Sequence, residues 1–168
     1  MNDLVIENRI LICVGTGGVG KTTLASTVAL KAAKEGKKVL VFTMDPSRRL
    51  ATCLGLDNWN GQEILVKKYE NGGELWAAMI EAQKVFEDFV RKNSSSEAET
   101  QKMLNNRLFK ELSTSLSGSQ EFTSIQALNQ AYKSQKYDFI VLDTPPAQHT
   151  LDFIQAPEVI FNLFRGPM

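Results

Sequence analysis

The chain has 168 residues, enough for one domain with its own hydrophobic core, and 43% of them are hydrophobic, which excludes an intrinsically disordered chain. No apolar run approaches the roughly 20 residues needed to span a bilayer, and neither the N-terminal residues nor the separated Cys13 and Cys53 are typical of a secreted protein. The 19 basic residues balance the 19 acidic ones, so bulk electrostatic capture of nucleic acid is not expected. These features predict a cytoplasmic protein.

Three short apolar runs predict strands that are buried on both faces of a sheet. They are RILICVG, which ends at Gly15, KKVLVFTMD, which ends at Asp45, and FIVLD, which ends at Asp143. Between the first two runs, TTLASTVALKAAKE predicts a helix that stops at Gly36, and its small side chains allow close packing on a sheet. Apolar strands joined through helices predict the α/β class, with a mostly parallel sheet flanked by helices.

The region from 57 to 135 has a different pattern. Asn71, Gly72 and Gly73 form a turn signal between two possible strands, which predicts a hairpin. Apolar residues at helical spacing then predict three amphipathic helices. These residues are Val85, Phe86, Phe89 and Val90; Leu104, Leu108, Leu112 and Leu116; and Phe122, Ile125, Leu128 and Tyr132. Two interpretations stay open: ordinary core packing on the sheet, or a helical subdomain whose apolar face holds a client or partner.

The stretch GTGGVGKTT fits the phosphate-binding pattern G-x-x-x-x-G-K-[ST] at every position. Its glycines let backbone N–H groups converge on phosphate oxygens, and the helix that follows directs its positive end at the same anion. Lys21 is expected to contact the β- and γ-phosphates, the Thr22 hydroxyl to bind Mg²⁺, and Thr23 to reach the α-phosphate. The predicted nucleotide-binding residues are Gly15, Thr16, Gly17, Gly18, Val19, Gly20, Lys21, Thr22 and Thr23.

Two carboxylates follow the other predicted strands. Asp143 closes the FIVLD run, where phosphate-loop enzymes place an aspartate that orients Mg²⁺. Asp45 comes at the C-terminal end of the second strand, at the sheet edge where ligands bind in open α/β folds, and is positioned to orient or deprotonate a water. The loop DTPPAQHT after Asp143 is stiffened by two prolines and is well placed to sense the γ-phosphate; its His149 is not expected to bind a metal.

The motifs GTGGVGKTT, TMDP and FIVLDTPPAQHTLDFIQAP together resemble the ArsA family of ATPases, which includes the arsenical pump-driving ATPase and the targeting factor for tail-anchored membrane proteins. The resemblance implies a phosphate-loop NTPase fold, ATP and Mg²⁺ as cofactors, and a homodimer with two nucleotides near its interface. It implies that Asp45 activates water in a first switch, that Asp143 belongs to the Mg²⁺ site, and that DTPPAQHT is the second switch. Lys21 and Asp45 are thus the predicted catalytic residues, and Thr22, Asp45 and Asp143 the predicted metal-site residues.

The resemblance also implies an organisation for the chain. Residues 1–168 are expected to form one ATPase domain, with 57–135 as a helical and hairpin insertion that carries a client or effector surface. Three strands are fewer than the about four to six of most sheets. APEVIFNLFRGPM begins a helix-like segment at the end of the chain, so the domain is expected to be incomplete at its C-terminus.

Two positions depart from the family pattern. Thr16 stands where the family has a signature lysine that reaches the partner subunit's phosphates, and threonine supplies a hydrogen bond but no charge. A comparable cation, the arginine finger of GTPases, is worth about 10³–10⁵ in rate. Arg48 and Arg49, directly after the first switch, are candidate replacements. The second departure is Ala147-Gln148, where relatives often have Thr-Gly. The family's base-binding residues find no match, so a preference for ATP over GTP is not predicted from residues.

Three functional hypotheses remain at this point. The first is an Mg²⁺-dependent ATPase that couples hydrolysis to dimer rearrangement and client handling. The second is a partition or division-site ATPase, which would require a basic surface or an amphipathic C-terminal helix. The third is a nucleotide-binding module without turnover, against which Asp45 argues, because a pure binder does not need a carboxylate that activates water.

Overall fold

The computed structural model describes residues 8–45, 48–105 and 120–144. Within these residues the chain forms five strands and five helices. The strands are β1 (Ile10–Cys13), β2 (Lys38–Thr43), β3 (Ile64–Lys68), β4 (Glu74–Met79) and β5 (Phe139–Asp143). The helices are α1 (Lys21–Lys34), α2 (Arg49–Leu54), α3 (Ala82–Asn93), α4 (Glu97–Asn105) and α5 (Gln120–Lys133).

All five strands form one sheet in the order β1-β5-β2-β4-β3. The first four in that order run parallel, and β3 lies antiparallel to β4 at one edge. Strand β5 therefore lies between β1 and β2, and its last residue, Asp143, is in register with Cys13 and with Thr43. The predicted α/β class, with a mostly parallel sheet flanked by helices, is confirmed.

One face of the sheet is covered by α1. Its small residues Ala25, Ala29 and Ala32 are fully buried and bring the helix close to Val41 and Val141 of the central strands. The helix begins at Lys21 and ends at Lys34, close to the predicted bounds, and Lys31 and Lys34 stand in its last turn, where positive charge complements the helix dipole. The first strand–loop–helix unit is thus held against the centre of the sheet.

Helices α3 and α5 cover the opposite face. Val85 of α3 and Leu128 of α5 are buried with Leu40, Phe42 and other side chains of the sheet, and Ile125 packs against the same cluster. In the described residues these helices therefore have the ordinary core packing that was one of the two interpretations. The side chains of Phe86, Phe89 and Phe122 lie outside the description, as do Leu108, Leu112 and Leu116.

The predicted hairpin turn is present between β3 and β4, but both strands belong to the same sheet as the phosphate-loop strand. The apolar runs predicted three sheet strands, and β4 is a fourth parallel member, paired along its length with β2. The division of the chain into a domain and an insertion at 57–135 stays a prediction. In the described part of the chain, no helix has the length and apolar character needed to cross a membrane.

Candidate phosphate-binding and metal site

The candidate site lies where β1, β5 and β2 end together. The loop from β1 to α1 carries GTGGVGKTT, and Gly15, Gly18 and Gly20 have φ values of 146°, 78° and 86°. Side chains disfavour this left-handed backbone, which explains why the loop requires glycine at these places. Gly20 precedes α1 directly, and the helix has no side-chain cap and no acidic residue in its first turn. Its first N–H groups therefore remain available to an anion.

Thr22 and Asp143 are brought together across the site. The Thr22 hydroxyl donates a hydrogen bond of 2.7 Å to Asp143 Oδ2. Asp143 is only 1% exposed, and its other carboxylate oxygen, Oδ1, is buried without a hydrogen-bond partner among the described residues. Burial raises the pKa of Asp143, and the Thr22 hydrogen bond and the charge of Lys21 partly oppose that rise.

This pair fits a magnesium site. A threonine hydroxyl and a carboxylate are hard oxygen donors, and the unpaired Oδ1 is a buried acceptor that a cation or its water would satisfy. In the ranges that the structure describes, no group of three or more His, Cys, Asp and Glu side chains is placed to hold a metal ion by itself. An Mg²⁺ ion would thus depend on few protein ligands and on phosphate and water oxygens, as is usual for Mg²⁺ bound with a nucleotide.

Asp45 follows β2 at the same edge of the sheet. Its backbone N–H donates to the hydroxyl of Thr43, 3.1 Å away, and its carboxylate Oδ2 lies 3.6 Å from the Arg49 guanidinium. Burial is the main cause of the raised pKa of Asp143, and the negative charge of Asp45 adds to it. Sequence reasoning did not identify Thr43, although its place at the end of an apolar strand was a usable signal.

Lys21 lies folded over the loop. Its Nζ donates a hydrogen bond of 2.7 Å to the backbone carbonyl of Thr16. Thr16, the position of the missing signature lysine, is exposed and contributes its carbonyl oxygen to this contact. The ammonium group also acts on the interior of the site, because its charge lowers the pKa values of Asp143 and of Cys13 against the effect of burial.

A pocket of about 370 Å³ opens beside the loop. Its lining combines residues of the loop and of the first turn of α1 with residues of α2: Gly18, Gly20, Lys21, Thr22, Thr23, Arg49, Thr52 and Cys53. Gly15, Thr16, Gly17 and Val19 belong to the same loop but are not among these lining residues. Thr52 and Cys53 were not predicted as site residues, because their presence here depends on the packing of α2 against α1.

Arg48 and Arg49 lie in different pockets. Arg49 lines the pocket beside the phosphate loop, whereas Arg48 lines a smaller one of about 140 Å³ together with Asp45 and Trp59. Residues 145–150, which include the rest of DTPPAQHT and His149, lie outside the described residues, as does the C-terminal APEVIFNLFRGPM segment. The roles assigned to individual residues from the sequence stay predictions.

Comparison with known proteins supplies the family. The model of the anion-transporting ATPases, the ArsA ATPase family, matches residues 8–166. This chain belongs to the ArsA family. ATPase ASNA1 homolog 2 of Paramecium tetraurelia is 32% identical over 159 residues, which are 93% of this chain and 47% of that relative. ATPase get3 of Aspergillus terreus is 32% identical over 147 residues, which are 87% of this chain and 42% of that relative.

The chain therefore spans less than half the length of these two ArsA-family relatives. Protein DIP2308 from Corynebacterium diphtheriae has a crystal structure that is similar over 86% of this chain and 54% of that chain, with 19% sequence identity and a TM-score of 0.38. A likeness of this size supports no conclusion about the site. The family membership predicted from the three motifs is confirmed by the match to the family model.

Proposed function

We propose that this chain forms the nucleotide-binding part of an Mg²⁺-dependent ATPase that hydrolyses the β–γ phosphoric anhydride bond of ATP. The observation that carries the proposal is the Thr22–Asp143 hydrogen bond, which joins the phosphate loop to the end of β5 across 121 residues. A glycine-rich turn without a ligand would have no need of a buried carboxylate beside its threonine. The ATPase names of the relatives support ATP as the nucleotide.

In this proposal each residue of the site has one task. The uncapped N-terminus of α1 and the loop N–H groups bind phosphate oxygens, and Lys21 exchanges the Thr16 carbonyl for a phosphate. Thr22 and Asp143 would hold Mg²⁺, which would neutralise charge on the phosphate oxygens when bound. Asp45 orients the attacking water and accepts its proton, since its carboxylate stands at the same sheet edge as Asp143.

We further propose that the protein works as a homodimer in the cytoplasm and couples hydrolysis to a rearrangement that handles a client protein or a membrane pump subunit. Family membership supports this proposal. The balanced charge of the chain gives no support to a nucleic-acid partner.

The test is phosphate release from ATP, with and without Mg²⁺, over a range of protein concentrations. We expect Mg²⁺-dependent turnover that Lys21→Ala abolishes, whereas Lys34→Ala, which removes the same charge at the exposed far end of α1, retains it. Specific activity that rises with concentration would support a site completed by a dimer. Equal activity of wild type and Lys21→Ala would contradict the proposal.

A second candidate is a nucleotide-binding module without turnover. One observation favours it: the Asp45 carboxylate Oδ2 lies 3.6 Å from the Arg49 guanidinium, so this oxygen is paired with a cation and not directed at a water. Tight ATP binding with no phosphate release would support this candidate and would reduce Asp45 to a structural role.

A further inference from the structure

Arg49 is near both the phosphate loop and Asp45. It is the first residue of α2, it lines the pocket beside Lys21, Thr22 and Thr23, and its guanidinium lies 3.6 Å from Asp45. The Arg49 side chain is 59% exposed. Ion pairs this exposed contribute little free energy, so the guanidinium can leave Asp45 for a stronger anion at a small free-energy cost.

We propose that Arg49 is a phosphate-binding residue, which leaves the Asp45 carboxylate and contacts the terminal phosphate of a nucleoside triphosphate bound to the same chain. This inference rests on the proposed function and adds to it the source of a second cation. A guanidinium presents five donors in a planar fork that matches phosphate oxygens, and hydrogen bonds between charged groups are about twice as strong as neutral ones.

The terminal phosphate is the one expected to gain this contact. The Arg49 guanidinium lies 3.6 Å from Asp45, and Asp45 is the carboxylate that the proposed function places at the attacking water. Binding of a diphosphate would leave the Arg49–Asp45 pair intact, so the arginine distinguishes the two nucleotides.

Other polar groups of α2 are less suited to this role. The Thr52 hydroxyl donates to the carbonyl of Arg48 within the helix. Arg48 itself has a left-handed backbone with φ 58° and lines the other pocket, so its side chain starts from a different position. Arg48 is therefore a matched control for Arg49, one residue away and with the same charge.

The experiment compares Arg49→Gln with Arg48→Asn, because each removes one positive charge and asparagine tolerates the left-handed backbone at position 48. Equilibrium binding of a non-hydrolysable ATP analogue and of ADP is measured with Mg²⁺. We expect Arg49→Gln to weaken the analogue about 10- to 100-fold and to leave ADP near its wild-type affinity. Arg48→Asn should match wild type for both ligands, and Arg49→Lys should be intermediate.

Normal ADP binding by Arg49→Gln shows that the variant is folded, so loss of the analogue alone supports the proposal. Equal analogue affinities of Arg49→Gln and Arg48→Asn would overturn it while leaving the proposed ATPase intact. Failure of the wild type to bind either ligand would overturn both. Mixing Arg49→Gln with Lys21→Ala subunits tests the same-chain assignment, because recovered turnover would mean that Arg49 acts on its partner's nucleotide and would contradict it.

Discussion

The Thr22 hydroxyl, in the first turn of α1, donates a 2.7 Å hydrogen bond to the carboxylate of Asp143 at the end of β5. Thr22→Val keeps the shape of the side chain but leaves Asp143 Oδ2 without its donor. We expect this change to destabilise the fold by about 1–3 kcal/mol and to abolish the stimulation of ATP turnover by Mg²⁺. Thr22→Ser restores the hydroxyl and should retain both properties. Denaturant unfolding and magnesium titrations measure them, and an unaltered magnesium response in Thr22→Val would argue against the metal site.

Substitution of Asp45 is expected to affect ATP hydrolysis but not to weaken ATP binding. Asp45→Asn keeps the size of the side chain but removes the proton acceptor, so turnover should fall by about 10²- to 10⁴-fold. ATP affinity should stay the same or rise, because a negative charge near the phosphates has been removed. Phosphate release and equilibrium binding are measured on the same preparation. Unchanged turnover would show that another group, or no protein group, accepts the proton.

Cys53 reports on occupation of the pocket beside the phosphate loop. It is exposed and lines that pocket with Lys21 and Thr23, whereas Cys13 is buried at the end of β1. A small thiol reagent should therefore modify one cysteine per folded chain, and ATP with Mg²⁺ should slow that reaction. Cys53→Ser should remove the reactive thiol. Modification at equal rates with and without ATP would place the nucleotide elsewhere.

The raised pKa of Cys13 predicts that the folded protein loses stability at alkaline pH. Burial and the neighbouring Asp143 raise its pKa from 9.0 to about 11. Below about pH 9 the thiol is neutral in both the folded and the unfolded chain, so its contribution to stability is fully present. As pH rises towards about 11, the unfolded chain loses this proton before the folded one, and the free energy of unfolding falls. Cys13→Ala should show a shallower fall over that range in denaturant unfolding; identical slopes would contradict the assignment.

Gly73, in the turn of the β3–β4 hairpin, packs closely against α1, the helix that carries Lys21. A Cβ at this position would lie 1.9 Å from the backbone carbonyl oxygen of Ala33, so Gly73→Ala must displace the hairpin from α1. We expect a destabilisation of about 2–4 kcal/mol. The neighbouring Gly72 has φ 88° and open space around it, so Gly72→Asn, which tolerates that backbone, is the matched control and should be nearly neutral. Equal melting temperatures for the two variants would contradict this packing.

Local sequence was sufficient for the parts of this fold that depend on local chemistry. The apolar runs predicted β1, β2 and β5, and the glycines predicted a loop whose left-handed residues the structure contains. It was insufficient for β4, because ELWAAM reads as one arm of a hairpin, and its parallel pairing with β2 is a long-range choice. The Arg49–Asp45 pair was likewise not predicted: the two residues are four positions apart, but Asp45 precedes α2, so helical spacing alone does not bring them together.

The place of β5 in the sheet has a consequence during synthesis of the protein. Strands β1 and β2 are made first, but they do not touch, and the strand that fills the gap between them is translated about a hundred residues later. Until Asp143 has left the ribosome, the nascent chain holds a phosphate loop without its carboxylate partner. We therefore expect ATP to bind, and so to stabilise, only those newly made chains in which β5 has completed the sheet.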